Sequence, residues 1–452
     1  MKHNINTNSN HHASDDNKLK NRHLQMIALG GVIGTGLFFG AAKSIASTGP
    51  SIILAYIIGG ILMYVIMRAL GEMTVYEPNT GSFSEYAHKY INNYAGFIAG
   101  WNAWFEYTIV CMVDLSALGF FLDYWHLGIP HWIICLIVLI IFTIINLMSI
   151  RFFGEFEFYF AGIKIVAIVM MLLFSAYLIF SKTQINPNLH EYLVLSNFFA
   201  SGTMGFLFSL VIVLFSFGGT EFVSIAAADT QNPKKTIPQA INGVIIRIIL
   251  FYILTIIAII CLYPYNHLSQ NISPFVDVFN KIGITSAALI MNIVAITASL
   301  SAFNSCLYSS SRMLYNLSTN NNAIAKFGKL NRNGMPYIAV ITTSIVIFIA
   351  VIVNYIWPEH ALMYLLTVAT AAIIITWFII LLSHLLFRAQ YRHLLSSNRF
   401  KLYGYPYVNI VAIILLFIIM IIMTKMDDMK LSVYVTPIWI LTLSIFFILR
   451  KI

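Results

Sequence analysis

Charge is scarce in this chain. Asp, Glu, Lys and Arg make up 10% of its 452 residues, against about 25% in a soluble domain. That excludes a soluble globular protein. Cysteine is sparse as well: Cys111, Cys135, Cys261 and Cys306 each sit inside an apolar run with no paired spacing, which excludes a disulfide framework and a thiolate metal centre and leaves buried packing. Enzyme signatures are missing too. There is no paired metal-ligand motif and no G-x-S-x-G elbow, and the one glycine cluster that resembles a nucleotide loop has no strand before it and no lysine after it. Intramembrane proteolysis would need a nucleophile with its base, or two aspartates in apolar helices, and Asp114 has no such partner. His11 and His12 lie in a polar tail and make no metal site. No metal, cofactor or nucleic acid is expected.

What the chain does have is hydrophobic length. Apolar residues make up 59% of it, the mean hydropathy is +0.83, and apolar runs of roughly 20 residues, enough to cross a bilayer as helix, recur throughout. The expected fold is an all-α membrane protein with twelve transmembrane helices, near 24–47, 51–76, 96–124, 132–150, 157–181, 201–228, 241–264, 283–315, 337–357, 361–388, 406–425 and 433–450. Residues 1–23 are polar and Asn/His-rich and read as a disordered cytoplasmic tail. No short apolar core ahead of a small-residue cleavage site marks a signal peptide there.

The net charge of +9 is a topology signal. With the N-terminus inside, only Lys43, Lys182, Lys281, Lys425 and Lys430 of the 26 Lys and Arg fall outside. This positive-inside bias places both termini in the cytoplasm, and no acidic partner is needed to explain the charge.

Two spans carry unusual glycines. Residues 28–40 read ALGGVIGTGLFFG, and residues 215–221 read FSFGGTE. Glycine weakens a helix interior by about 1 kcal/mol relative to alanine. Both clusters place adjacent glycines near a threonine in mid-span, and five helices separate them. Paired interruptions of this kind point to a transporter site, since broken helix at membrane depth persists only where it is buried or lines a cavity. Freed N–H groups suit an anion and freed carbonyls a cation, so the two together suit a zwitterion. Gly30, Gly34, Gly36 and Gly40 also fit small-xxx-small helix packing, and the pairing of the two breaks favours the substrate site.

Four ionisable residues stand at membrane depth: Glu106, Asp114, Lys164 and Glu221. Such groups are functional candidates; the bland alternative for each, best suited to Glu106, is a helix-end residue reaching water or a structural ion pair. Eight residues put Glu106 and Asp114 within about 80° of each other around one helix. Glu72, Glu155 and Glu157 lie near cytoplasmic helix ends and are expected to shape an inner gate or cap helices. A buried lysine can stand in for a bound metal cation and exchange a proton, so Lys164 is expected to couple transport to protons.

These residues make the chain resemble bacterial amino acid permeases of the amino acid–polyamine–organocation superfamily, in the branch of aromatic, phenylalanine, proline-specific and D-alanine/D-serine/glycine permeases. The resemblance runs from "LKNRHLQMIALGGVIGTGLFFG" through "GPSIILAY", "MRALGEM", "GSFSEYA", "FAGIKIVAI", "FSFGGTEFVSIAAADTQNPKKTIPQAI", "SPFV", "NSCLYSSSRMLYNLS" and "GMPYIAV" to "LSVYVTPIW". It implies a leucine-transporter-type 5+5 inverted repeat, spans 1–5 and 6–10, with discontinuous helices 1 and 6. The core would cover residues 24–400, with two additional helices in 401–452. By the same resemblance the substrate site would comprise Val32, Ile33, Gly34, Thr35, Gly36, Phe215 and Gly218. The carboxylate would meet N–H groups around Thr35 and Gly36 and the Thr35 hydroxyl; the ammonium would meet carbonyls near Val32, Ile33, Phe215 and Gly218. Phe215 would gate, Lys164 would replace a sodium ion, and Lys164, Glu221, Asp114 and Glu106 would serve proton coupling. The related aromatic permeases usually carry an apolar residue where Glu106 stands and Glu where Asp114 stands. In those positions the chain looks more like the proline-specific relatives, and in spans 6 and 8 more like the aromatic ones.

The expected function is proton-driven import of a neutral amino acid (aromatic, proline or small) across the plasma membrane, by a monomer or weak oligomer whose partners are substrate, protons and lipid. Uptake of a cationic amino acid or histidine, and exchange of an amino acid for its amine, are the alternatives. A receptor would want a signalling domain outside the membrane, and a simple pore has no use for two broken helices.

Overall fold

The computed structural model describes residues 33–77, 82–148, 150–183, 185–190, 192, 198–221, 238–239, 241–243, 246, 248–269, 272–391 and 400–450. No β-strand occurs among the described residues. The helices are α1 (Ala41–Thr48, continuing a π turn at Gly36–Gly40), α2 (Ile52–Tyr76), α3 (Phe83–Tyr90), α4 (Asn93–Asp123), α5 (His131–Met148), α6 (Ile150–Phe180), α7 (Gly202–Phe217), α8 (Leu254–Leu262, after a π turn at Ile248–Ile253), α9 (Pro274–Lys281), α10 (Thr285–Thr319), α11 (Tyr337–Ile356), α12 (Ala361–Gln390), α13 (Tyr407–Thr424) and α14 (Lys430–Leu449).

Ten helices among the described residues are long and apolar enough to cross a membrane, and Gly36–Ala46 and Gly202–Phe217 are shorter apolar helices. This is an integral membrane protein. Span 1 before Ile33 and span 6 after Glu221 lie outside the described residues, and so does Val32. The short helices α3 and α9 were not anticipated from hydropathy; each lies beside a long helix and packs against it, α3 on α4 and α9 on α10.

Burial sorts the bundle into a centre and a rim. The apolar windows of α4 and α12 are each 78% buried, whereas that of α14 is 17% buried. Side chains that are apolar all round can turn outward only where lipid receives them. The most extensive contact is α4 against α10, then α4 against α12. Polar groups stitch these helices together, as expected where lipid offers no hydrophobic drive between helices. The Asn102 amide donates to the Ala372 carbonyl at 3.0 Å, the Thr108 and Ser310 hydroxyls meet at 2.7 Å, and the Asn146 amide donates to Asn304 Oδ1 at 2.9 Å. All four cysteines are free; Cys111, Cys135 and Cys306 are buried and Cys261 partly so.

One buried cluster ties the last helices to the rest. Glu72 on α2 accepts from Arg388 Nε at 2.7 Å, His384 Nε2 at 3.1 Å and the Leu402 N–H at 2.7 Å. Asn409 on α13 donates to His384 Nδ1 at 3.0 Å. The expectation of a gating or capping residue at a helix end gives way here: Glu72 is a fully buried crosslink between α2, α12 and the lead-in to α13.

Candidate functional site

Among the described residues, a helix begins within the first glycine cluster and another ends at the second. Ile33 and Gly34 are bends, helix begins at Thr35, and the next five residues, Gly36–Gly40, wind into a π turn. The first turn of a helix leaves N–H groups without intrahelical acceptors, and here that turn faces α7. The helix α7 stops at Phe217, where Gly218 swings to ψ 149°; Gly219 follows at φ +90°, a region that favours glycine. The Phe215 carbonyl accepts the Gly218 N–H at 3.0 Å, and the Tyr252 hydroxyl donates to the Ser216 carbonyl at 2.8 Å, which fixes the broken end.

A cavity lies where the two breaks meet. Gly34, Thr35 and Gly36 line it with Phe215, Ser216, Gly218 and Gly219, and Val110, Asp114, Ala302, Cys306 and Ile373 complete the wall. Its volume is about 30 Å³, the space of roughly one water in a liquid, so an amino acid enters only if the wall moves apart. Glycine is required at position 36, where the clash is with backbone, and at 219, where φ is positive. A Cβ on Gly36 would stand 2.6 Å from Ser216 Cα, and one on Gly218 would stand 2.4 Å from Ile373 Cδ1. Close packing and site formation are therefore one property of these glycines.

Asp114 is the charged group of this cavity. The Thr35 hydroxyl donates to its Oδ1 at 2.7 Å and also meets the Ser299 hydroxyl at 3.0 Å. Asp114 Oδ2 is buried and takes no hydrogen bond. The Thr35 hydroxyl, expected to meet a substrate carboxylate, is thus held by Asp114.

Lys164 lies behind the first break, fully buried on α6. Its Nζ donates to the Ile33 carbonyl at 3.1 Å and to the Ser301 hydroxyl at 2.9 Å. Ser301 in turn donates to Glu157 Oε1 at 2.6 Å. Glu157, expected to cap a helix or shape a gate, is fully buried and is linked to Lys164 through Ser301. Seven residues separate the two, nearly two full turns, which puts them on one face of α6.

Glu106 and Asp114 share α4 but not a neighbourhood. Glu106 is fully buried, so the helix-end reading does not hold for it. Its Oε2 accepts the Thr376 hydroxyl, and its carboxyl neighbours that of Glu221 within hydrogen-bonding reach. Glu221 takes the Gly219 N–H on Oε1 at 3.2 Å; its Oε2 takes the Thr220 hydroxyl at 3.3 Å and the Trp377 indole N–H at 3.4 Å. The four ionisable candidates therefore divide into three places: Asp114 in the cavity, Lys164 behind the first break, and Glu106 with Glu221 beyond the second.

A wide vestibule of about 1040 Å³ lies toward the other end of the same helices, lined by Lys43, Asp123, His126, Glu359 and His360 among others. Along α4 the order is Glu106, then Val110 and Asp114, then Asp123. Along α12 it is reversed, with His360, Ile373 and then Thr376. The cavity thus stands between the vestibule and the carboxyl pair. Sequence reasoning did not pick out Ser299, Ser301, Ile373, Thr376 or Trp377, since small hydroxyls and apolar residues in spans 8 and 10 carry no distinguishing pattern.

Comparison with known proteins agrees with this geometry. The family model described as amino acid permease matches residues 23–451. The "Aromatic amino acid transport protein AroP" of Salmonella typhimurium strain LT2 is 40% identical over 438 residues, covering 96% of this chain and 95% of that protein. Its namesake in Escherichia coli strain K12 is 39% identical over 437 residues, at the same two coverages. The "Uncharacterized transporter YdgF" of Bacillus subtilis strain 168 is 39% identical over 436 residues, again covering 96% of this chain and 95% of that protein. A match of this length and identity makes the protein an amino acid transporter rather than an enzyme, and the chain belongs to the amino acid permease family of the amino acid–polyamine–organocation superfamily.

Proposed function

We propose that the protein imports neutral amino acids across the plasma membrane by proton symport, alternating access around the cavity between the two broken helices. That cavity is the observation that carries the reading: helix ends from two spans meet there, beside a carboxylate with one oxygen still to be satisfied. The N–H groups at Thr35 and Gly36 would take the substrate carboxylate. Asp114 Oδ2 and the carbonyls of the second break would take its ammonium. The side chain would lie among Val110, Phe215, Cys306 and Ile373, an apolar set suited to a bulky substrate and consistent with the aromatic transport named for the relatives.

On this reading the chain has twelve spans, arranged as inverted repeats of spans 1–5 and 6–10 with two further helices in 401–452, and both termini are cytoplasmic. Lys164 would occupy the place of a sodium ion. Charged, it holds the Ile33 carbonyl and so the start of the first broken helix; on losing its proton it keeps only weaker bonds to the same groups, and the break is freer to move.

Competition tests the substrate class. Purified protein in proteoliposomes would take up one labelled aromatic amino acid against a panel of unlabelled ones, with and without a protonophore. Strong competition by aromatic amino acids and collapse with the protonophore support the reading. Best competition by lysine or histidine would assign Asp114 Oδ2 to a cationic side chain. Uptake indifferent to the protonophore but driven by internal amine would replace symport with exchange.

A further inference from the structure

Glu106 and Glu221 do something the cavity does not require. They come from different elements, α4 and the segment just past the break in span 6, and neither lines the cavity. Their carboxyls nevertheless face each other, fully buried. No lysine, arginine or histidine among the described residues acts on Glu106; the other titratable groups facing the pair are Tyr107 on α4 and Cys306 on α10. No other donor reaches Glu106 Oε1.

An ionised carboxylate only accepts hydrogen bonds. Two of them in contact, away from water, repel each other and leave an oxygen unsatisfied. A single proton between them removes one charge and turns the contact into a hydrogen bond. We propose that Glu106 and Glu221 share one proton, and that this proton fastens the Gly218–Glu221 segment against α4 and α12. The proposal rests on the symport reading and names a second proton-bearing place within it, besides Lys164.

The surroundings fit a fastener. Glu106 is tied to α12 through Thr376. Glu221 is tied to α12 through Trp377 and to its own segment through the Gly219 N–H and the Thr220 hydroxyl. The pair stands one turn beyond the cavity wall on two helices, Val110 to Glu106 on α4 and Ile373 to Trp377 on α12, on the side away from the vestibule. Releasing the proton leaves two carboxylates in contact. Their repulsion pushes the segment off α4 and α12, opening the cavity on that side, and the proton leaves to the water that enters. Exit of substrate and exit of the proton are then one event.

The test uses full-length protein in proteoliposomes and two readouts. Infrared spectroscopy should show a protonated-carboxyl band at neutral pH in the wild type, lost in both Glu106→Gln and Glu221→Gln. In transport, Glu106→Gln keeps a neutral hydrogen-bonding partner. Its accumulation driven by a pH gradient should fall by about tenfold or more while substrate counterflow persists, since the glutamine amide satisfies an ionised Glu221 and no shared proton is left to release. A wild type without the band, or a Glu106→Gln variant that keeps both wild-type accumulation and wild-type pH dependence, would overturn the proposal. If Glu106→Gln also loses counterflow, the band decides between a shared proton and a merely structural contact. If the wild type itself shows no proton-driven uptake, the symport reading fails, and the band still tests the shared proton by itself.

Discussion

Gly36, in the helical turn that follows Thr35, abuts Ser216 near the end of α7 so closely that a Cβ would fall 2.6 Å from the serine Cα. Two helix ends approach backbone to backbone, and any side chain at 36 must force them apart. Gly36→Leu is therefore expected to abolish uptake, with an overpacking loss of about 1–3 kcal/mol in stability and with the protein still inserted in the membrane. Uptake together with thermal melting in detergent checks this. Normal uptake by the leucine variant would show that the close approach is dispensable.

Lys164 and Glu157 act through Ser301 as one buried unit. Lys164→Gln alone leaves the Glu157 carboxylate without its cation, and breaking a buried pair this way typically costs about 3–5 kcal/mol. The double variant Lys164→Gln with Glu157→Gln should recover most of that stability yet remain deficient in pH-driven accumulation. Melting temperatures of the three variants would separate the two roles; a double variant no more stable than the single one would mean that the pairing is not the source of the loss.

Asp114→Asn keeps an acceptor for the Thr35 hydroxyl but removes the charge from the cavity. If Oδ2 meets the substrate ammonium, the half-saturating substrate concentration should rise by about ten- to a hundredfold, the worth of a charge-assisted hydrogen bond. The maximal rate should change less. An unchanged half-saturating concentration would remove Asp114 from substrate recognition.

Ile373 borders the cavity from α12, and its Cδ1 lies 2.4 Å from where a Cβ on Gly218 would stand. Ile373→Val should cost about 0.5–1.5 kcal/mol in stability and shift competition toward larger side chains. A panel ranking the same for variant and wild type would place the specificity elsewhere in the wall.

The long helices, the helix start beside Gly34 and the helix end before Gly218 could be read from hydropathy and from the glycines, because length and backbone freedom are local properties of the chain. Lys164 and Asp114 could be singled out by their cost in lipid alone. Their partners could not. Spacing suggested a common outlook for Glu106 and Asp114, but eight residues are also about 12 Å of rise, and each looks onto a different stretch of α10, α12 and α7. Nearness to a helix end masks the place of Glu157, whose seven-residue offset from Lys164 is the informative feature. Ser299, Ser301 and Thr376 gave no signal at all; a hydroxyl in an apolar helix matters only through what stands opposite, and that is set by how helices far apart in sequence are rotated against one another.

A cavity with room for only about one water bears on how tightly a substrate is held. A ligand must part α7 from α12 and the first broken helix before it can be gripped, so its measured affinity is the grip less the work of separation. Substitutions that loosen the wall without touching the gripping groups should make the protein bind more strongly and choose less carefully. Weak measured affinity in the native protein would then be the counterpart of its selectivity, with both set by the same resistance to opening.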